Sequence, residues 1–75
     1  MRHQITQVEP RSVADRNGIR AGDILLTING EPVIDEIDYQ ALIANMLLVV
    51  ELERDGTALT IQIKKSEGAP LGLHF

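Results

Sequence analysis

The chain contains no cysteine and no tryptophan, and aromatic residues make up only 3% of its 75 residues. The absence of cysteine excludes a disulfide and a thiolate metal site. The two histidines, His3 and His74, lie near opposite ends of the sequence and do not form a credible ligand set for a tightly bound metal. We therefore expect no cofactor, metal or thiol chemistry within this domain.

Long apolar runs and clustered basic charge are also missing. The longest apolar run, Met46 to Val50, is far shorter than the roughly 20 residues that span a bilayer, and no apolar signal region begins the chain. The net charge of -4 is spread along the sequence, and Lys64-Lys65 is the only adjacent basic pair. Because nucleic-acid binding needs a concentrated basic surface, we expect no nucleic-acid partner. The short apolar runs predict no membrane partner, and the absence of a signal region and of cysteine is compatible with the cytoplasm, which we expect as the location of the protein.

The length fits a single domain over residues 1–75, which buries only about 60% of the surface of its unfolded chain. Apolar periodicity and turn residues predict short elements along this domain. Ile5 and Val8 have opposite parity, so the first strand is either irregular at one end or buried on both faces. The predicted elements are strands at His3 to Val8, Ile24 to Ile28, Glu31 to Val33, Leu48 to Glu53 and Leu59 to Lys64, and helices after Ser12 and from Glu36 to Asn45.

Local signals define how these elements begin and end. Ser12 and Asp35 are good N-caps, with Asp15 as the acidic member of a capping box, and Gly18 closes the first helix. Ile24, Leu26 and Ile28 form one apolar strand face, and the Asn29-Gly30 pair that follows predicts a two-residue hairpin turn. Strands at both ends of the chain with two helices between them predict an α+β fold, a small mostly antiparallel sandwich or partly open barrel capped by two helices.

Several of these segments together resemble the signature of PDZ domains. The matching residues are the helix start Pro10-x-Ser12-x-Ala14, then Gly18-Ile19, Gly22-Asp23 and Ile28-Asn29-Gly30. The resemblance implies a PDZ-like fold and a non-catalytic module that binds an extended peptide or a protein C-terminus by β-strand addition. The carboxylates of Asp35, Glu36 and Asp38 fit helix initiation better than catalysis.

The resemblance extends to the C-terminus, where Pro70-Leu71-Gly72-Leu73 is similar to the family's carboxylate-binding Gly-Leu-Gly-Phe loop. Such a loop turns successive backbone N–H groups toward an anion. These parts come last in this chain, so the strand order is circularly permuted relative to animal PDZ domains, as in bacterial members. The resemblance implies that Leu71, Gly72, Leu73 and Phe75 form one wall of the peptide site, and that Lys64 or Lys65 adds charge near the carboxylate unless both are simply solvated.

The second helix would form the other wall, in one of two registers. If Asp38 occupies the family's first groove position, Ala41 is its small buried residue and Leu42 and Asn45 face the ligand, which favours a polar or basic side chain two residues before the peptide's end. If Ile37 occupies that position, the wall consists of Ile37, Ala41 and Ala44 and favours an apolar side chain. The helix has one apolar stripe of Tyr39, Leu42, Ile43 and Met46 and a second, on the opposite side, of Ile37, Ala41 and Ala44. It is either buried on both sides, or covers the core with one face and borders a groove with the other.

The whole chain is similar to the N-terminal PDZ domain of bacterial iron-sulfur oxidoreductases of the radical S-adenosylmethionine type. The segment Ile37-Asp38-Tyr39-Gln40 and the ending Leu71-Gly72-Leu73-His74-Phe75 carry this resemblance. It implies that a 4Fe-4S cluster and S-adenosylmethionine are bound by a downstream enzyme domain, since this chain has no cysteine. The expected partner is a protein or peptide C-terminus, or alternatively that enzyme domain in cis, and the domain is expected to be a monomer.

Overall fold

The computed structural model describes residues 3–75, which form two helices and seven short strands. Neither helix in that range is long and apolar enough to cross a membrane. In chain order the elements are β1 (His3–Gln4), β2 (Gln7–Val8), α1 (Val13–Arg16), β3 (Ile24–Ile28), β4 (Glu31–Pro32), α2 (Glu36–Ile43), β5 (Leu47–Arg54), β6 (Thr57–Lys64) and β7 (Leu73–His74).

The strands form two antiparallel sheets. The larger sheet has the order β1-β3-β5-β6, with β4 paired to β3, and the smaller sheet consists of β2 and β7. The expected α+β class, with antiparallel sheets, two helices and no closed barrel, is confirmed. Because β7 follows the long β5-β6 hairpin and pairs with β2, residues 7–8 and 73–74 lie side by side although they are distant in sequence.

The segment from His3 to Val8 changes sheets at its centre. His3 pairs with Leu25 of the larger sheet, whereas Val8 pairs with Leu73 of the smaller one. Between them Ile5 is buried, and its N–H donates to the Asp23 carbonyl at 2.8 Å. This break explains the opposite parity of Ile5 and Val8, since Ile5 lies between the two ladders and only Val8 belongs to the second.

A bulge interrupts β3. Leu25 pairs with Leu52 and Thr27 with Glu51, which leaves Leu26 as the extra residue. Leu25 and Ile28 are fully buried, whereas Ile24 and Leu26 are only half-buried. The predicted face of Ile24, Leu26 and Ile28 is therefore wrong, because a bulge shifts the alternation of side chains by one residue.

Both helices begin at the predicted caps. The Ser12 hydroxyl accepts the Asp15 N–H at 3.2 Å, and the Asp35 carboxylate accepts the Asp38 N–H at 2.9 Å. Helix α2 ends at Ile43, two residues before the predicted Asn45. In a standard capping box the acidic side chain accepts the N–H of the N-cap residue, here Ser12. The Asp15 carboxylate instead accepts the N–H of the preceding residue, Arg11, at 2.8 Å.

The hairpin turns match their sequence signals. Asn29 and Gly30 have φ values of 53° and 78°, and Asp55 and Gly56 have φ values of 51° and 79°. Positive φ at both central residues defines a type I′ turn, whose twist suits two-residue hairpins. These turns connect β3 to β4 and β5 to β6, and the second aligns eight residue pairs without a register shift.

The core lies between the larger sheet, the smaller sheet and the two helices. On β5 the residues Leu48, Val50 and Leu52 are buried while the alternate residues face solvent, as predicted. The other buried apolar side chains come from the remaining elements and their connections: Ile5, Ala14, Ile19, Leu25, Ile28, Val33, Tyr39, Ile43, Ile63 and Leu71.

Asp23 is the only buried charged residue in the described part of the chain. Arg54 donates from Nε to Oδ1 at 2.8 Å and from Nη2 to Oδ2 at 2.7 Å, and Nη2 also reaches the Gly18 carbonyl at 2.8 Å. These hydrogen bonds from Arg54 hold the pKa of Asp23 below its usual value, and the Arg20 N–H adds to the effect. The pair ties the end of α1, the turn before β3 and the end of β5 together.

Candidate functional site

The loop that enters β7 is fixed to α1 and β2. The buried Leu71 offers its carbonyl to the Ala14 N–H at 3.0 Å, and the Gly72 carbonyl accepts the Glu9 N–H at 2.8 Å. Gly72 has a φ of +88°, and a Cβ at this position would lie 2.7 Å from Ser12 Oγ and closer still to Ser12 Cβ. Glycine is required here because the backbone is left-handed and passes against the helix cap.

One edge of β7 is used by the protein and the other faces outward. The His74 carbonyl accepts the Thr6 N–H at 2.8 Å, so His74, like Gly72, directs its backbone groups toward β2. Because these groups alternate along an antiparallel strand, those of Leu73 and Phe75 point to the opposite edge. Within residues 3–75 no strand pairs with that edge, which can therefore accept an extended peptide.

A cavity of about 460 Å³ lies between β7 and the first turns of α2. Its apolar lining comes from buried or half-buried side chains and from the exposed Phe75, and its polar lining comes from carboxylates, an amide and imidazoles. This mixture of an apolar surface with a few polar groups is typical of ligand-binding clefts. The lining residues are His3, Val33, Asp35, Glu36, Tyr39, Gln40, Leu73, His74 and Phe75.

Three rings form an aromatic cluster in this cavity. The Phe75 ring meets Tyr39 edge-on, with centroids 5.2 Å apart, and meets His3 at 5.8 Å. His3 Nε2 lies 2.9 Å from the Val33 carbonyl, which accepts a hydrogen bond from the imidazole. Burial raises the pKa of the Tyr39 phenol to about 12. The cluster therefore links α2 to β7 and sets the spacing of the two walls.

The connection from β6 to β7 covers the C-terminal end of α2. The Lys65 N–H donates to the Met46 carbonyl at 2.9 Å, and the Gly68 N–H donates to the Ala44 carbonyl at 3.1 Å. Lys65 Nζ is directed to the Ser66 carbonyl at 3.3 Å, while Lys64 is exposed. These contacts place the loop where the groove between β7 and α2 closes, but they show no lysine directed into the cavity.

The predicted residues of the β7 wall divide into two groups. Leu73 and Phe75 line the cavity, whereas Leu71 is buried in the core and Gly72 lies against Ser12. The side chain of Leu71 is therefore unavailable to a ligand. Its contribution is to hold the backbone of the loop in place.

Neither predicted helix register matches the lining of the cavity. Asp38, Leu42 and Asn45 do not line it, nor do Ile37, Ala41 and Ala44. Asp38 and Leu42 are half-buried, and Asn45 and Ala41 are exposed. The prediction that Ala41 is a buried alanine is wrong, because Tyr39 and Ile43, one turn apart, occupy the core-facing side of α2.

Four residues at the start of α2 line the cavity: Asp35, Glu36, Tyr39 and Gln40. The sequence predicts helix initiation for the first two and the apolar stripe for Tyr39, and it predicts no groove role for Gln40. The sequence shows only that Glu36 and Gln40, spaced i, i+4, share one face of the helix. Since Tyr39 and Ile43 face the core, Glu36 and Gln40 lie on the adjoining flank at helical spacing. His3 and Val33 carry no comparable signal, because they reach the cavity through the sheet and a loop.

The described residues contain no group of three or more His, Cys, Asp or Glu side chains that could hold a metal ion. The nearest approach of such groups is the pair His74 and Glu9, with His74 Nε2 at 2.5 Å from Glu9 Oε1 on the exposed face of the smaller sheet. An iron-sulfur cluster does not fit this domain, because the chain also lacks cysteine.

Comparison with known proteins gives consistent results. Residues 4–54 match the family model of the PDZ domain. Human serine protease HTRA3 is 33% identical over 60 residues, covering 79% of this chain and 13% of that protein. The periplasmic serine endoprotease DegP of Salmonella typhimurium is 29% identical over 69 residues, covering 87% of this chain and 14% of that protein. The chain thus spans only a small part of the curated relatives.

A solved structure is also similar. The crystal structure of the HtrA3 PDZ domain bound to a phage-derived ligand, FGRWV, aligns with a TM-score of 0.74 and 32% identity, covering 81% of this chain and 56% of that one. The family match covers more than half of the chain, and the described fold agrees with it. The chain belongs to the PDZ domain family.

Proposed function

We propose that this domain binds an extended peptide, ending in a free carboxylate, as an additional strand on the outward edge of β7. The observation that carries this proposal is the outward direction of the Leu73 and Phe75 backbone groups beside the cavity that faces α2. Main-chain hydrogen bonds to this edge would provide affinity, and alternate peptide side chains would enter the cavity. The ligand of the HtrA3 domain, FGRWV, supplies a suitable probe.

The proposed site consists of the β7 edge with Leu73 and Phe75 and the loop at Leu71 and Gly72, together with the α2 wall. On that wall the cavity favours Glu36 and Gln40, and the predicted contributions of Asp38, Ala41, Leu42 and Asn45 remain to be tested. A carboxylate of Glu36 beside the groove would favour a basic peptide side chain, which agrees with the arginine of FGRWV.

The test is a backbone amide NMR titration of the chain with FGRWV as the free acid, with the C-terminally amidated peptide as control. We expect the largest shifts at the Leu73 and Phe75 amides, a smaller shift at His74, whose N–H faces β2, and weaker binding of the amidated peptide. Equal shifts with both peptides would contradict carboxylate recognition. If the β7 amides do not shift at the highest peptide concentration that stays in solution, strand addition is contradicted.

A matched pair of variants distinguishes which residues of α2 form the wall of the peptide groove. Gln40→Trp adds a large side chain to a residue that lines the cavity, whereas Ala41→Trp adds it to an exposed neighbour outside the cavity. We expect Gln40→Trp to weaken peptide binding at least tenfold and Ala41→Trp to change it little. The reverse result would support the registers predicted from sequence. Gly72 is unsuitable for this test, because a side chain there would collide with Ser12 and disturb the fold.

A second candidate is docking in cis, with the groove occupied by another part of the same polypeptide. It is favoured by the small share of the curated relatives that the chain spans, 13% of HTRA3 and 14% of DegP, since those proteins contain other domains. In a longer protein Gln40→Trp would then alter the activity of the attached domain without added peptide. Under the first proposal, it would change only the response to peptide.

For the larger protein we propose a radical S-adenosylmethionine oxidoreductase in the cytoplasm, with its 4Fe-4S cluster in the downstream domain. This rests on the resemblance carried by Ile37 to Gln40 and Leu71 to Phe75. The named relatives are proteases instead, including the regulator of sigma-E protease RseP of Escherichia coli, 27% identical over 75 residues, 91% of this chain and 17% of that protein. Iron and sulfide content of the purified longer protein distinguishes the two parents.

We also propose that the domain is circularly permuted relative to animal PDZ domains. The proposal is supported by the position of β7 and its loop at the end of the chain, directly after the β5-β6 hairpin. It is supported further by the pairing of β7 with β2 across the two ends of the sequence. If it is correct, joining Phe75 to His3 by a short linker and opening the Asp55-Gly56 turn gives a folded, peptide-binding domain.

A further inference from the structure

The outer edge of β6 is a second surface that the peptide site does not use. Strand β6 has eight residues and is the last strand of the larger sheet among the described residues. Natural sheet edges of this length are usually interrupted by proline, a bulge or inward-pointing charges. β6 has none of these, since its pairing with β5 runs without a shift and its only charge is Lys64 at the end.

The direction of the free backbone groups on β6 follows from one hydrogen bond. The Lys65 N–H donates to the Met46 carbonyl, so residue 65 faces β5. Because backbone groups alternate along an antiparallel strand, residues 63, 61, 59 and 57 also face β5. The N–H and C=O groups that point away from the sheet therefore belong to Ala58, Thr60, Gln62 and Lys64.

This set of groups is self-complementary. An antiparallel two-fold pairing that places Ala58 opposite Lys64 of a second copy also places Thr60 opposite Gln62. Every outward-facing residue then meets another outward-facing residue, and each pair can exchange both of its N–H···O bonds. A pairing shifted by two residues in one direction would leave Lys64 opposite Gly56 of the hairpin turn, and a shift in the other direction would leave Ala58 opposite Ser66, beyond the end of β6.

The core-facing side chains of β6 support the same arrangement. Ile63 is buried, but Leu59 and Ile61 are only half-buried, because no further strand covers them on the open side. In the two-fold pairing Ile61 lies opposite its own copy and Leu59 lies opposite Ile63 of the second copy. Cross-strand pairs of β-branched and aliphatic side chains stabilise sheets. The pairing would bury apolar surface that a single copy leaves exposed.

We infer that the β6 edge binds a second copy of this chain, forming a two-fold dimer with a continuous antiparallel sheet across both copies. The dimer leaves the outward edge of β7 open for peptide, because β7 belongs to the other sheet. This assembly differs from the monomer expected from the sequence. It goes beyond peptide binding, since each dimer would present two grooves.

The test is sedimentation equilibrium of the whole chain over about a hundredfold range of concentration. Thr60→Lys with Gln62→Lys places like charges opposite each other at two symmetric positions. Thr60→Glu with Gln62→Lys places opposite charges there. Gln4→Lys with Gln7→Lys is the matched control, because both residues are exposed on β1 and β2 and carry the same added charge. Thermal unfolding confirms that each variant is folded.

We expect the wild-type dimer fraction to rise with concentration, and the dilysine edge variant to raise the dimer dissociation constant at least about tenfold. The glutamate-lysine variant should stay within about threefold of wild type or dimerise more tightly, and the control should match wild type. A wild-type chain that remains monomeric over the range overturns the proposal, as does a dimer insensitive to the dilysine change. Equal loss with both edge variants overturns the two-fold pairing.

Discussion

Replacing Gly72 with alanine tests whether the loop at the start of β7 is fixed by its contact with α1. The added Cβ meets Ser12 Oγ at 2.7 Å and Glu9 Cβ at 3.3 Å, and the backbone has a φ of +88°. A left-handed backbone costs about 1–2 kcal/mol for a residue with a side chain, and overpacking adds about 1–3 kcal/mol. We expect the free energy of unfolding to fall by about 2–5 kcal/mol.

Gly68→Ala is the matched control. Its φ is +75°, but a Cβ there would have nothing within 4 Å, so it carries only the backbone cost. For a domain of this size 1 kcal/mol shifts Tm by about 4–8 °C. We therefore expect a Tm loss of about 4–16 °C for Gly68→Ala and a clearly larger loss for Gly72→Ala. If Gly72→Ala and Gly68→Ala lose the same stability, measured by urea and by thermal unfolding, the argument from close contact is refuted.

A third variant assigns the contact. Ser12→Gly removes the two Ser12 atoms that crowd the new Cβ, and glycine is a tolerable N-cap that costs only a few tenths of a kcal/mol. The double variant Ser12→Gly with Gly72→Ala should therefore recover about 1–2 kcal/mol relative to Gly72→Ala alone. Simple additivity of the two changes would place the strain elsewhere.

Three further predictions concern charge and capping. Because Arg54 lowers the pKa of Asp23 in the folded chain, that carboxylate stabilises the fold above its unfolded pKa of about 3.8 and loses this effect as pH falls through the folded pKa; the stability difference between wild type and Asp23→Asn should shrink in that acid range. Burial raises the pKa of Tyr39 from 10.0 to about 12, so the free energy of unfolding should fall by about 3 kcal/mol as pH rises between those values. Urea unfolding of Tyr39→Phe over the same pH range should not show this fall. Asp35→Ala removes the acceptor of the Asp38 N–H and should cost about 1 kcal/mol in the same assay, whereas Asp35→Asn should retain most of it.

Signals that act over a few residues predicted the fold well. The caps Ser12 and Asp35 and the Asn29-Gly30 turn each lie where expected, because their chemistry is local. The sequence did not predict the bulge at Leu26. It left open whether the strand around Ile5 is irregular or buried on both faces. Both depend on the pairing of strands distant in sequence, and a one-residue shift there reverses which side chains are buried.

The candidate site was predictable on one wall only. Leu73 was predicted from the loop motif and Phe75 from the strand that follows it, and both line the cavity. The helix wall requires knowing which side of α2 faces the core. Apolar residues occur on both sides of α2, so periodicity could not decide whether Ile37, exposed at 80%, or Tyr39, exposed at 7%, points inward.

The outward sheet edges on β7 and on β6 differ in what lies beside them. β7 and β6 both present outward backbone groups, but the surfaces beside them differ. The cavity beside β7 has helix α2 as its other wall, whereas the cavity that reaches Gln62 to Lys64 of β6 is lined otherwise by β5 residues and Asn17. A single peptide strand on β7 can place its side chains against Tyr39 and Gln40, whereas a strand on β6 meets no such wall. Under the two proposals, specific peptide selection belongs to β7, and β6 gains comparable contact from a partner that supplies its own sheet, as a second copy does.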